Sequence, residues 1–156
     1  MSDNLKISLC IFLTLSLGFL SGFSTSSAIT GWYTTLNKPF FQPPNWLFGP
    51  VWSILYIMIG LSIGLIWTKV EVSKAKSNAI KVFIFQLFLN LIWSPVFFGL
   101  KMLLPAAVII IILWFFIFIT IRMFSGLHKI AGKLLIPYLL WVSFATCLNV
   151  AIAILN

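Results

Sequence analysis

Five long apolar runs constrain this chain more than any other feature of its sequence. They cover residues 5–23, 46–67, 79–100, 103–123 and 134–155, and each is about as long as the 20 residues that a helix needs to cross a bilayer. Lys81 lies near the end of its run, where its side chain can reach the headgroups. Strands of a membrane barrel would alternate polar and apolar side chains, and these runs do not. The sequence therefore predicts an all-α integral membrane protein, a single domain of five transmembrane helices over residues 1–156.

Composition excludes the other broad classes of protein. The chain is 62% apolar and 8% charged, whereas soluble domains have about 45–50% apolar and about 25% charged residues. Disorder requires low hydrophobicity, so it is excluded too. Cys10 and Cys147 lie inside apolar runs, and the chain has one histidine, so neither a disulfide framework nor a metal site is expected. The net charge of +8 is spread thinly through the connections, which fits membrane topology and argues against a nucleic-acid partner.

The distribution of basic residues predicts the orientation of the chain. An odd number of spans places the two termini on opposite faces of the membrane. Eight of the ten basic residues fall on the face of the N-terminus, and only Lys38 and Lys101 fall on the other face. The positive-inside rule then places the N-terminus in the cytoplasm and the C-terminus outside, and we expect a bacterial inner membrane. The two acidic residues, Asp3 and Glu71, lie outside the runs, so no proton-coupled drug antiport is expected.

The longest connection, residues 24–45, is predicted to be a lid loop on the outer face. A loop of this length in so small a protein is typically a binding element, and Pro43-Pro44 fix an extended path into the second run. Ser26-Ser27-Ala28 resembles a signal-peptide cleavage site, but the first run is long and its N-terminal charge is weak, so a retained helix is predicted. The spacings Gly18-x-x-x-Gly22 and Gly60-x-x-x-Gly64 permit close helix approach and are weak support for a dimer.

Aromatic and amide side chains recur on one face of three runs. Trp52 and Tyr56 are four residues apart, Asn90 and Trp93 are three apart, and the fifth run carries a stripe at spacing four. At about 1.5 Å of rise per residue, most of these groups lie in the outer half of the bilayer, which predicts an outward-opening aromatic pocket. Packing, interhelical hydrogen bonds and the interfacial aromatic belt remain open as alternatives for individual members. The stripe in the fifth run consists of Trp141, Ala145 and Asn149.

Motifs in three segments of the chain resemble those of the TspO/MBR family, the tryptophan-rich sensory or translocator proteins that include the peripheral benzodiazepine receptor. They are WYxxLxKP, PPxW and GPVWxxLY within residues 32–56, QLxLNxxWxPxFFG at 86–99, and PYLxWxxFATxLN at 137–149. They occur in the family's order over nearly the whole chain. The resemblance implies a five-helix bundle, often a homodimer, that binds porphyrins such as protoporphyrin IX and requires no cofactor.

The resemblance also implies a ligand cavity and an alternative function. Some members are reported to degrade protoporphyrin in light, with tryptophans that match Trp52 and Trp141, so a light- and oxygen-dependent enzyme is the alternative to a receptor or carrier. In the outer loop Phe41 stands where the family often has tryptophan, and the animal cholesterol motif is absent at 150–155. Lys38 is the residue we expect to meet the propionates of a porphyrin. The family's cavity-lining positions here are Tyr33, Trp52, Tyr56, Asn90, Trp93, Trp141, Ala145 and Asn149.

Overall fold

The computed structural model describes residues 1–156, with the side chains of all of them except Ser24. The chain is helical almost throughout, and within its described part five helical stretches are long and apolar enough to cross a membrane. This confirms the predicted fold class. The helices are α1 (Asp3–Thr30), α2 (Phe48–Lys69), α3 (Lys74–Ser94), α4 (Leu103–Leu127), α5 (Lys129–Leu134) and α6 (Ile136–Leu155). We call the end of the bundle that carries residues 31–47 the loop face.

Helix α1 is longer than the sequence indicated, so the predicted boundaries of the lid loop are wrong. The helix ends at Thr30 instead of residue 23, and the loop begins at Gly31 instead of residue 24. Hydroxyl side chains do not end the helix here, because they find partners on α3. Ser21 donates to the carbonyl of Leu91 at 2.6 Å, and Thr25 pairs with Ser94 at 2.6 Å. The remaining loop contains two short 3₁₀ turns, Trp32–Thr35 and Asn45–Leu47.

The other spans differ from the predicted runs mainly at their ends. Helix α3 begins earlier than residue 79 and continues into a π-helical turn, Pro95–Gly99. Helix α4 extends beyond residue 123, and the short helix α5 precedes α6. The π turn matters for the site, because the extra residue per turn allows two consecutive aromatic residues, Phe97 and Phe98, both to be buried.

Glycines hold α1 and α2 together in the half of the bundle away from the loop face. A Cβ at Gly60 would lie 2.5 Å from the Cα of Ile11, and one at Gly64 would lie 3.0 Å from the Cα of Ile7. Only glycine permits two backbones to approach so closely. The Gly60-x-x-x-Gly64 spacing therefore serves a contact within the chain, and it gives no support to a dimer.

Helix α4 packs between α3 and α6. One face of this helix packs inside the bundle. Its fully buried stripe includes Ile110, Leu113, Ile117 and Phe124. Helix α4 also makes a polar contact, since the indole N–H of Trp114 donates to Ser143 Oγ on α6 at 2.7 Å.

Candidate functional site

A cavity of about 990 Å³ lies between α1, α2 and α3, in the half of the bundle next to the loop face. Pockets for drug-sized ligands measure about 300–1,000 Å³, so this cavity is at the upper end of that range. Helix α2 contributes Trp52 and Tyr56, and α3 contributes Asn90 and Trp93. These four residues are members of the predicted site, and the structure brings them together around one cavity.

Flat aromatic surfaces form two walls of the large cavity. The rings of Trp52 and Tyr56 stack with centroids 5.7 Å apart and an interplanar angle of 30°. This follows from their spacing of four residues, which places them on one face of α2. On α3, Trp93 stacks on Phe97 at 5.4 Å and 25°. Trp52, Tyr56 and Trp93 line the large cavity, whereas Phe97 lines only the small one. An aromatic lining of this kind favours a flat, apolar ligand.

A chain of buried hydrogen bonds joins the large cavity to the middle of the bundle. The Tyr56 hydroxyl donates to Asn90 Oδ1, Asn90 Nδ2 donates to the Tyr138 hydroxyl at 2.9 Å, and that hydroxyl donates to Gln86 Oε1 at 2.8 Å. Gln86 Nε2 has no partner among the described residues. Asn90 therefore lines the cavity and also makes hydrogen bonds that link α2, α3 and α6. Lining a pocket and bonding between helices were the two alternatives from the sequence, and both apply to Asn90.

The remaining predicted residues line a second, much smaller cavity of about 20 Å³. This is space for roughly one water molecule and far too little for a macrocycle. Trp141 and Ala145 on α6 contribute to it, and the indole N–H of Trp141 has no partner among the described residues. Trp52 and Trp93 line both cavities, whereas Trp141 lines only the small one. The predicted site residues thus line two cavities, and the side chains of Trp52 and Trp93 lie between them.

Asn149 and Tyr33 are held in place by contacts within the protein. Asn149 Oδ1 accepts from the indole N–H of Trp93 at 3.0 Å, and its Nδ2 donates to the carbonyl of Leu103 at 3.2 Å. Tyr33 is 1% exposed and packs on the rings of Phe97 and Phe98. Burial raises the pKa of the Tyr33 phenol to about 12, so this side chain is neutral at physiological pH.

Sequence reasoning missed the contribution of α1 to the site. This helix lines the large cavity with small and aromatic residues that carry no conspicuous chemistry. The available signal was their helical spacing, since glycine, serine and phenylalanine recur at intervals of three and four on one face of α1. These residues include Ser16, Gly18, Phe19, Gly22, Phe23 and Ser26.

The loop is closed over the end of the bundle by specific hydrogen bonds. Lys38 Nζ donates to the carbonyls of Tyr33 at 2.8 Å and Leu36 at 3.0 Å, and lies 5.0 Å from the centroid of the Tyr33 ring. The backbone N–H of Asn37 donates to Asn156 Oδ1, and Asn156 Nδ2 donates back to the carbonyl of Asn37, both at 2.9 Å. The Lys38 ammonium thus stabilises the loop, and its contact with the propionates of a porphyrin stays a prediction.

Comparison with known proteins gives one consistent result. A model of the TspO/MBR family matches residues 10–155. The Tryptophan-rich protein TspO of Chlorobaculum tepidum is 44% identical over 156 residues, covering 97% of this chain and 96% of that protein. The Tryptophan-rich sensory protein of Cereibacter sphaeroides is 36% identical over 118 residues, covering 76% and 72%. The human Translocator protein is 34% identical over 119 residues, covering 76% and 70%. The family match includes every helix that lines the two cavities.

Proposed function

The chain belongs to the TspO/MBR family, and from that premise we propose that it binds tetrapyrroles such as protoporphyrin IX in the large cavity. Family membership supports the coarser role of a membrane receptor or translocator. The proposal adds the ligand class and its place in the molecule. Other flat, hydrophobic ligands of similar size fit the same chemistry.

The observation that carries the proposal is the size of the cavity together with its stacked walls. A volume of about 990 Å³ accommodates a large ligand. The indole of Trp52 and the indole of Trp93 both face this space, and a planar macrocycle gains most from aromatic faces. The lining residues in the described part of the chain carry no ionisable Asp, Glu, Lys, Arg or His, so the cavity suits binding more than acid–base catalysis.

The test is tryptophan-fluorescence quenching by protoporphyrin IX in detergent. Replacing Trp52 with alanine removes a stacking platform, and platforms of this kind contribute about 1–3 kcal/mol, or roughly 5- to 150-fold in affinity, to binding of nucleic-acid bases. We expect a loss in that range for Trp52→Ala and a smaller loss for Trp141→Ala, because Trp141 lines only the small cavity.

The matched control is Trp67→Ala, at the other end of α2, where the indole lies under Lys6 Nζ at 5.7 Å and far from both cavities. Its affinity should equal that of the parent. Equal affinity in the parent, Trp52→Ala and Trp67→Ala would contradict the proposed site. Pigment absorbance, followed in the same samples in darkness and in light, separates binding from degradation. Loss of pigment only in light and oxygen would favour the enzymatic alternative.

We further propose that the protein lies in a bacterial inner membrane with its N-terminus in the cytoplasm. Support comes from the eight basic residues on the N-terminal face against two on the loop face. A homodimer also remains a proposal. It rests on the family resemblance alone, since Gly60 and Gly64 are used for contacts within one chain.

A further inference from the structure

We propose that the large cavity is loaded sideways from the bilayer, through an opening between the loop-face halves of α1 and α2. This inference builds on the proposed function and specifies the route by which the ligand reaches its site. The occupant that the opening admits is a hydrophobic molecule dissolved among the acyl chains of the adjacent leaflet. This lateral route is an alternative to the outward-opening pocket that the sequence predicts.

Hydrogen bonds fasten the loop to the end of the bundle. The 3₁₀ turn that begins at Trp32 is fastened by the Lys38 ammonium, which donates to the carbonyls of two residues in and beside that turn. The loop is also tied to the end of α6 by the reciprocal pair between Asn37 and Asn156. Beneath the loop, the fully buried Tyr33 packs on the aromatic residues of the π turn. These contacts hold the loop over the small cavity, which Tyr33 lines, and none of the described residues that line the large cavity belongs to the loop.

The contacts of α1 change along its length, and Gly18 lies where they change. Below this point the two backbones are in contact at Gly60 and Gly64, and Thr14 Oγ1 donates to the carbonyl of Tyr56 at 2.8 Å. In the half of α1 nearer the loop face, Ser21 donates to the carbonyl of Leu91 and Thr25 pairs with Ser94, both on α3. In this half, hydrogen bonds therefore bridge α1 and α3, and the large cavity lies between these two helices and α2.

Several residues that line the large cavity between α1 and α2 are exposed, and we call them the rim. Phe19 and Phe23 on α1 line the cavity and are nevertheless 74% and 73% exposed. Across the gap, Gly49 and Ser53 on α2 also line the cavity and are exposed. An exposed residue that lines a cavity marks its opening. Because this rim lies within the membrane-spanning part of both helices, it faces acyl chains, and its phenylalanine side chains match that environment.

The kinetic test uses the protein in lipid nanodiscs and protoporphyrin IX as the probe. Ser53→Phe adds bulk at the rim and should lower the association and dissociation rate constants together, by about tenfold or more, as expected for an obstructed gate. Because Ser53 also lines the cavity, the deciding result is the direction of change of the dissociation rate constant: an obstructed route lowers it, whereas weaker binding alone raises it. Ile54→Phe is the matched control on the neighbouring, lipid-facing position, which is 59% exposed and outside the cavity lining.

Asn156→Ala tests entry through the loop face, because it removes the side chain that ties the loop to α6. If the ligand passes sideways, its rates remain those of the parent. Faster association in Asn156→Ala, or parental rates in Ser53→Phe, would overturn the proposal.

A second measurement is independent of protoporphyrin and so separates this proposal from the proposed function. Phospholipid brominated in mid-chain quenches tryptophans that acyl chains can reach. We expect a quenched component from Trp52 in the parent, which is lost in Trp52→Phe while that of Trp93 remains, and which is reduced in Ser53→Phe. If the parent fails to bind protoporphyrin but shows this component, the proposed ligand is wrong and the opening stands. If the component is missing, the opening is overturned.

Discussion

At the scale of single residues, Gly18 determines where the ring of Tyr56 lies. A Cβ built at Gly18 would be 2.3 Å from Cε2 of Tyr56 and 2.4 Å from its Cδ2. The absence of a side chain on α1 therefore allows the ring to turn inward, where its hydroxyl donates to Asn90. Gly22, one turn nearer the loop face, is different. A Cβ there meets no atom within 4 Å among the described residues, because it points into the large cavity.

These two glycines give a paired prediction for stability. Gly18→Ala should destabilise the protein by about 1–3 kcal/mol, since the Tyr56 ring must shift to avoid an overpacked contact. Gly22→Ala should be neutral or stabilising by up to about 1 kcal/mol, because alanine favours the helix and meets nothing. Thermal unfolding of both variants in one detergent measures the difference. Equal unfolding temperatures would show that Gly18 does not control the position of Tyr56.

At the scale of helices, the buried polar chain couples α2, α3 and α6. Asn90 is its centre, accepting from Tyr56 and donating to Tyr138. All three side chains are buried, so each unpaired group would carry the full cost of its lost solvation. The network therefore fixes the relative rotation of three helices and the position of the cavity wall.

A double-mutant cycle tests this coupling. Asn90→Leu and Tyr56→Phe should each destabilise the protein by about 1–3 kcal/mol, since each leaves a buried partner unpaired. The double variant removes both members of the pair, so its loss should be clearly smaller than the sum of the two single losses. Unfolding in detergent is the measurement. Strict additivity would indicate that the hydrogen bond between these side chains contributes nothing to stability.

The five spans could be predicted from the sequence because membrane thickness sets their length and excludes charge. The residue at which α1 ends could not be predicted in this way. Thr25 looks like part of a polar loop, but in the structure it bonds to α3, as Ser21 does, and the helix continues to Thr30. Whether a hydroxyl ends a helix or bridges two helices depends on what lies opposite, and one sequence does not contain that information.

The candidate site was predictable where its residues are chemically distinctive. Trp52 and Trp93 stand out in any apolar run, and both line the large cavity. The role of α1 was not predictable, because glycine, serine and phenylalanine are ordinary residues of a membrane helix. The division into two cavities also depends on side-chain packing, since Trp141 is separated from the larger one by the side chains of Trp52 and Trp93.

At the scale of the whole molecule, the charge asymmetry predicts the topology. A reporter fused after α6 should be active outside the cytoplasm, and one inserted at Val72, in the connection between α2 and α3, should be active inside it. The reason is that eight of the ten basic residues lie on the face of that connection. Phosphatase and fluorescence reporters at both positions provide the measurement. Activity of the α6 fusion in the cytoplasm would reverse the orientation and leave the fold unchanged.

The central claim is that ligand occupies the large cavity between α1, α2 and α3, and Gly22 allows the most direct test. Gly22 lines that cavity and a Cβ added there meets no described atom within 4 Å, so Gly22→Phe places a bulky side chain at the cavity wall. Gly126→Phe is the matched control, since a Cβ there also meets nothing within 4 Å and the residue lies at the far end of α4, outside both cavities.

The measurement is protoporphyrin IX affinity, by fluorescence quenching, in the parent and in both phenylalanine variants. The account predicts that Gly22→Phe lowers the affinity by at least about tenfold, which corresponds to about 1.4 kcal/mol, while Gly126→Phe binds like the parent. Unchanged affinity in a folded Gly22→Phe would show that the ligand lies elsewhere and would contradict the account.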